Sequence, residues 1–312
     1  VLRVEQRRSQ PDTGGVMRID AHQHFWHYNA AEYGWIDESM AALRRDFLPA
    51  ESAREMSAAG FDGCIAVQAR QSDEETRWLL ELASRHASIA GVVGWVDLQQ
   101  GADRLRHRLA SYADDRKLVG IRHIVQAESD NRFLLRPQVL EGLSILAEFA
   151  LPFDLLIYPR HLDVAVECVG RLPNVRFVLD HLAKPNIRDG EMTVWQRGIR
   201  ALAAHKNVFA KLSGLITEAD WHTWTPHSIR RYLDVAFEAF GWQRLLIGSD
   251  WPVCLVAGDY LRTVHLVLDY ISARPLHEQA AVTGGNAERF WRLKRDPHLA
   301  SGDRAAAVGG GV

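Results

Sequence analysis

The residues best suited to chemistry stand at the ends of apolar runs. His22 and His24 close the run Ile19-Asp20-Ala21-His22-Gln23-His24. Positions two apart on a β-strand share a face, so both rings point one way with Asp20, and Ile19, Ala21 and Gln23 point the other. Such a pair offers two neutral imidazole ligands to a metal, or two donors to a substrate carbonyl. The alternative is two strand-end histidines bonded to water or loop carbonyls. Asp250 ends the apolar run 245–249. A carboxylate there suits a general base, since partial desolvation raises its pKa towards neutrality. Its alternative is to cap the turn Ser249-Asp250-Trp251-Pro252. His181 and Lys184 lie in His-Leu-Ala-Lys-Pro, where the ammonium meets an oxyanion or a sugar hydroxyl, or simply solvent. Arg122 and His123 alternate faces, so only one of them points inward. Lys211 is either a pocket cation or an outward lysine with its head in water.

These groups need a scaffold that brings distant segments to one place. Eight short runs lie at 18–25, 63–69, 90–96, 118–125, 153–158, 176–182, 208–214 and 245–251. They are nearly continuously apolar, as strands covered on both faces should be. Between them the spacing is helical, as in Leu105, Leu109 and Tyr112, or Ile229, Leu233, Ala236 and Phe240. Leu143, Leu146 and Ala150 repeat it behind Pro137, a residue suited to a first helical turn. Eight strand–helix units predict an α/β protein with a single (β/α)8 TIM barrel. An open doubly wound sheet is the alternative, but no Gly-rich nucleotide fingerprint follows the first strand. No linker divides the body, so one domain is expected over 17–295. A disordered extension at 1–16, a second possible start at Met17 and a flexible tail at 296–312 complete the expectation.

In such a barrel chemistry gathers at the C-terminal strand ends. Here those ends carry His22 and His24, Gln68, Arg122 and His123, Tyr158, Asp180 and His181, Lys211 and Ser213, and Asp250. Polar groups in a barrel mouth cost free energy unless paired, so a ring of them predicts a solvated pocket with a function. Trp26, Trp35, Trp95, Trp221, Trp224 and Trp251 fall at strand ends or in the loops that follow. Aromatic faces beside polar donors suit a ligand with CH faces and hydroxyls, such as a sugar derivative. Trp26 and Trp251 are the indoles expected to touch it, with loop packing as their alternative. The long loop from Trp26 to about Leu48 is placed to fold over the mouth.

Composition narrows the class further. Of 312 residues 47% are hydrophobic and 24% charged, and Lys+Arg 37 nearly balances Asp+Glu 39 for a net charge of −2. That describes a globular chain with no electrostatic case for nucleic acid or an anionic membrane as partner. No apolar run reaches the ~18–20 residues that a spanning helix needs. Cys64, Cys168 and Cys254 are far apart, odd in number and set in apolar stretches. They predict neither a disulfide framework nor a zinc knuckle, and fit a reducing cytoplasm. The first 16 residues carry basic groups without an apolar core, unlike a signal peptide.

Read in order, several pieces resemble the amidohydrolase superfamily, and within it the sugar-lactonase branch. They are Ile19-Asp20-Ala21-His22-Gln23-His24-Phe25-Trp26, Leu43-Arg44-Arg45-Asp46-Phe47 and Gly120-Ile121-Arg122-His123. His181-Leu182-Ala183-Lys184-Pro185, Gly248-Ser249-Asp250-Trp251-Pro252 and Gly284-Gly285-Asn286-Ala287 continue the match. Asn286 reads as a helix cap. The likeness covers about residues 17–295 and is nearest to the L-fucono-lactonases, with L-rhamnono-lactonases and pyrone-dicarboxylate lactonases as cousins. Metal-dependent members generally add a strand-4 lysine or a strand-5 histidine to the His-x-His pair and the strand-8 Asp. Here strand 4 offers Arg122 and His123, and strand 5 has no histidine.

The resemblance therefore implies a lactonase that requires no metal. If a single divalent ion such as zinc binds, its ligands are His22, His24 and Asp250. The implied reaction opens L-fucono-lactone or a similar aldonolactone to its sugar acid, in L-fucose breakdown. Asp250 takes a proton from water, while His22, His24 and His181 donate to the carbonyl oxygen with Lys184 or the inward one of Arg122 and His123. Trp26, Gln68, Tyr158 and Trp251 complete the substrate contacts. The expected partner is the small lactone, and a homo-oligomer is open. Three alternatives stand beside this reading. They are a metal-dependent decarboxylase on the same barrel, a pyrone or muconolactone hydrolase with more cationic pocket residues, and a non-catalytic sugar-acid binder.

Overall fold

Eight parallel strands follow one another around the sheet in chain order. They are β1 (Ile19–Gln23), β2 (Gly63–Val67), β3 (Ile89–Gly94), β4 (Leu118–His123), β5 (Phe153–Leu155), β6 (Phe177–Leu179), β7 (Val208–Leu212) and β8 (Leu245–Ile247). The His24 amide donates to the Trp251 carbonyl at 2.7 Å and the Asp250 amide to the His22 carbonyl at 2.9 Å, so the segment after β8 closes onto β1. The computed structural model describes residues 16–293, and the expected tail and nearly all of the expected extension lie outside the described residues. Seven of the eight apolar runs contain one strand whole, and β3 begins at Ile89, one residue before its run. The later strands are shorter than their runs because their last residues leave the ladder to build the barrel mouth. Among the described residues no helix is long and apolar enough to cross a membrane.

The helices are α1 (Pro49–Ala59), α2 (Asp73–Arg85), α3 (Ala102–Ala110), α4 (Pro137–Glu148), α5 (Leu162–Arg171), α6 (Thr193–Ala203), α7 (Pro226–Phe240) and α8 (Tyr260–Ile271). Proline opens α1, α4 and α7, where its missing N–H costs nothing. Two short helices follow, α9 (Leu276–Ala280) and α10 (Asn286–Trp291), joined by a π turn. Ile19, Ala21, Ile65, Val67, Val93, Val119, Val178 and Leu246 fill the inside of the barrel, and Phe290 and Trp291 of α10 pack into the same cluster. The ring of Trp291 reaches to 5.4 Å from the ammonium of Lys211. Asn286 does not cap this helix. It lies inside α10 and donates to the carbonyls of Trp242 and Leu245, both at 2.7 Å, which ties α10 to the start of β8.

Strict alternation along β1 fails, and the failure matters for the site. The pairing of β1 with β2 shifts register between Asp20 and Gln23, as a β-bulge does. Ile19 and Ala21 lie in the inner core, so Asp20 faces outward rather than sharing the histidine face. There it accepts bonds from Tyr260 Oη at 3.0 Å, Gln23 Nε2 at 2.7 Å and the Ser249 amide at 2.9 Å. The bulge thus lets Ala21 and His22 both address the barrel interior.

The π turn brings Gly284 against the chain entering β1. A Cβ built on Gly284 would lie 1.6 Å from the Met17 carbonyl oxygen, a backbone atom that cannot swing away. Gly284→Ala should therefore cost about 3 kcal/mol and lower Tm by roughly 6–12 °C. Scanning calorimetry checks it, and an unchanged Tm would mean that this contact is free to open.

Candidate active site

Each site residue owes its position to an irregular strand end. His22 leaves the bulge of β1, and His24 follows two residues later. Asp250 adopts a left-handed φ of 60° three residues after β8, where its carboxylate lies against the histidines. After β6 four consecutive non-glycine residues are left-handed, His181, Leu182, Ala183 and Lys184, with φ of 52°, 49°, 60° and 50°. L-residues disfavour that region by roughly 1–2 kcal/mol each, and such strain tends to sit where function requires it. Gly214, at φ 63°, makes room for the result. A Cβ there would lie 2.5 Å from His181 Nδ1.

The carboxylate of Asp250 meets three imidazoles. Its Oδ1 is 3.4 Å from His24 Nε2, 3.8 Å from His22 Nε2 and 3.9 Å from His181 Nε2. Beneath them lies a buried ionic layer. Lys211 Nζ is 2.5 Å from Asp154 Oδ2, 2.9 Å from Asp180 Oδ1 and 3.1 Å from His22 Nδ1. Arg122 Nη1 is 3.0 Å from Asp180 Oδ2 and 3.3 Å from His22 Nε2. The other arm of Arg122 donates to the backbone and side-chain oxygens of Gln68. All of these groups are buried.

The shorter contacts of fixed polarity assign the tautomers. An ammonium only donates, so at 3.1 Å His22 Nδ1 accepts from Lys211 and its Nε2 carries the proton, which leaves the longer 3.3 Å approach of Arg122 Nη1 to that nitrogen without a hydrogen bond. A carbonyl only accepts, so His24 Nδ1 donates to the Val67 carbonyl at 2.8 Å and its Nε2 is bare. The two assignments agree, because His22 Nε2 then donates to His24 Nε2 at 3.2 Å. This corrects one expectation. Neutral His24 presents an acceptor to the mouth, not a donor for a carbonyl oxygen.

The electrostatics correct another. Burial lowers the pKa of all three histidines, that of His181 to about 4, and the charge of Lys211 pushes His22 down further. Burial alone would raise the Asp250 carboxyl, but the facing His181, His24 and His22 outweigh it. Asp250 is thus held below the usual carboxylate range, not raised towards neutrality. It stays ionised among neutral imidazoles.

The remaining candidates divide between the pocket and its frame. Arg122 is the inward residue of its pair, and Gln68 holds it. His123 turns to the rim, stacks on Phe133 at 4.6 Å, accepts from Trp95 Nε1 at 3.3 Å and donates to Glu128 at 2.7 Å. Trp26 is fully buried, donates to the Arg45 carbonyl at 2.9 Å and packs on Tyr33, Trp35 and Phe47. Trp251 is 1% exposed and packs on Phe25 and Phe47. Both indoles form the wall behind the histidines. Tyr158 and Lys184 stand at the open edge, with the ammonium 5.8 Å from the phenol ring. Asp154 was not singled out by the sequence, although a lone carboxylate in an apolar strand needs a buried cation, and Lys211 is the matching lone cation.

A family model described as amidohydrolase matches residues 19–293. The chain belongs to the amidohydrolase family. It is 42% identical over 291 residues to an L-fucono-1,5-lactonase of Burkholderia multivorans, covering 89% of this chain and 97% of that protein. It is 37% identical over 307 residues to an L-fucono-1,5-lactonase of Burkholderia ambifaria, covering 93% and 99%. A crystal structure of an amidohydrolase from Burkholderia multivorans with bound zinc superposes with a TM-score of 0.86 at 41% identity, covering 89% of this chain and all of that one.

In this amidohydrolase, His22, His181 and Asp250 bring one ligand atom each within 4.8 Å of one another. His24, the third ligand expected from the sequence, also lies close, its Nε2 3.2 Å from His22 Nε2 and 3.4 Å from Asp250 Oδ1. These donor types fit a single divalent ion. Lys211 and Arg122, 3.1 and 3.3 Å from the nitrogens of His22, oppose it electrostatically.

Proposed function

We propose that this protein hydrolyses a sugar-derived lactone, an L-fucono-lactone or a similar aldonolactone, to its sugar acid. The observation that carries the mechanism is the Asp250 carboxylate 3.4, 3.8 and 3.9 Å from three buried imidazoles, with the Arg122 guanidinium beside His22. The two Burkholderia relatives, matched over nearly their whole length, support the substrate class.

Water bound between Asp250 and the bare Nε2 of His24 loses its proton to the carboxylate as its oxygen bonds to the ring carbonyl carbon. Arg122, with an Nε–H that has no partner among the described residues, and the Nε2–H of His22, which shifts from His24 to the substrate, meet the developing oxyanion. The ring C–O bond then breaks, and the proton held by Asp250 passes to the departing alkoxide. Lactones are activated esters, so this needs less transition-state stabilisation than amide hydrolysis. A divalent ion held by His22, His181 and Asp250 would add Lewis-acid polarisation of the carbonyl.

The chain's own cations perform that polarisation in this reading, so turnover does not require the ion. Acid release from L-fucono-, L-galactono-, D-arabino- and L-rhamnono-lactones, read with a pH indicator before and after prolonged chelation, tests both parts. More than half of the rate on at least one lactone should survive chelation. Loss restored by Zn2+ would overturn metal independence, and silence across the set would overturn the lactonase.

A further inference from the structure

One charged pair at the mouth takes no part in that chemistry. Lys184, after β6, and Glu218, after β7, lie 3.5 Å apart with side chains 20% and 21% exposed. The ring of Tyr158, after β5, adjoins the ammonium. The Glu218 carbonyl also accepts the Arg188 amide at 3.0 Å, which joins the two loops behind the pair. The pair stands at the pocket's end of the barrel, because Lys184 follows His181 by three residues after β6 and Glu218 lies in the loop after β7.

As a strap between loops, a single ion pair that is still partly solvated contributes little, roughly 0–1 kcal/mol. As a recognition device it is well matched to adjacent hydroxyls. The ammonium only donates and the carboxylate only accepts, so one hydroxyl can accept from Lys184 while its neighbour donates to Glu218. The phenol face beside them suits the CH face of the same ring. The pair carries no net charge, so it offers no excess cation to an anionic ligand and suits a neutral polyhydroxylated ring.

Resting on the lactonase reading above, we infer that Glu218 is a specificity residue that, with Lys184, reads adjacent ring hydroxyls of the lactone. The test pairs Glu218→Gln with two ligands, a hydroxylated aldonolactone and δ-valerolactone, which has no hydroxyls. δ-Valerolactone is measured as a substrate, and as a competitor of the aldonolactone. Glu218→Gln should raise KM for the aldonolactone at least tenfold, leave kcat within threefold, and leave δ-valerolactone binding within twofold. Equal weakening of both ligands would reduce Glu218 to a loop support and overturn the inference, as would no change in either. If the wild-type protein opens no lactone, the lactonase reading itself fails. If it does, only the Glu218 comparison is at stake.

Discussion

Asp250→Asn should lower kcat/KM for the best lactone by at least ~1,000-fold while leaving the fold intact, since a positioned general base is worth about 100- to 10,000-fold. The substitution is nearly isosteric, and Asn is among the few residues that accept the left-handed φ of 60° found at this position. Its amide can still donate to the bare Nε2 of His24, 3.4 Å from the present oxygen. What it cannot do is take a proton from water. Because Asp250 is held ionised and the histidines neutral, the wild-type base is already in its working form at neutral pH. The same circular dichroism spectrum and a Tm within about 3 °C of wild type would show that the loss is chemical. A variant retaining a tenth of the wild-type rate would remove Asp250 from the mechanism.

The sequence disclosed the barrel because each strand is wrapped on both faces, and so leaves an apolar run that alternation cannot blur. It also disclosed His22, His24, His181, Arg122 and Asp250 as strand-end groups. It did not disclose the direction of Asp20, since a bulge changes facing without changing composition. The protonation pattern was hidden for a related reason. It depends on a distant lysine at one end of the histidine pair and a β2 carbonyl at the other, contacts that span 189 and 43 residues. The indoles mislead in a third way. Trp26 and Trp251 sit where a ligand-facing aromatic would sit, yet loop packing consumes their surfaces. Lys211 remained ambiguous because a single lysine in an apolar strand is compatible with either face until its carboxylate partners are located.

Those partners make Lys211→Met the second large effect. Met would fit the space against the Trp291 ring, but Asp154 and Asp180 would lose the ammonium 2.5 and 2.9 Å away. Breaking a buried ion pair from one side costs about 3–5 kcal/mol, so Tm should fall by roughly 10 °C. Asp180 retains Arg122 at 3.0 Å, and Asp154 is the carboxylate left stranded. Adding Asp154→Leu removes that charge and should recover at least half of the lost stability, because an apolar replacement of a buried pair is often neutral. Catalysis should not recover with it. Without a donor at Nδ1, His22 is free to adopt the other tautomer, and its Nε2–H no longer faces the oxyanion. The double variant should therefore melt near the wild type yet stay at least ~100-fold down in kcat, with KM moved less, as expected when a transition-state donor is lost. Parallel thermal melts and lactone kinetics on wild type, single and double variants separate the two roles of Lys211. Recovery of turnover in step with Tm would assign the lysine to folding alone, and turnover that stays low in a stable barrel would make it the residue that positions His22.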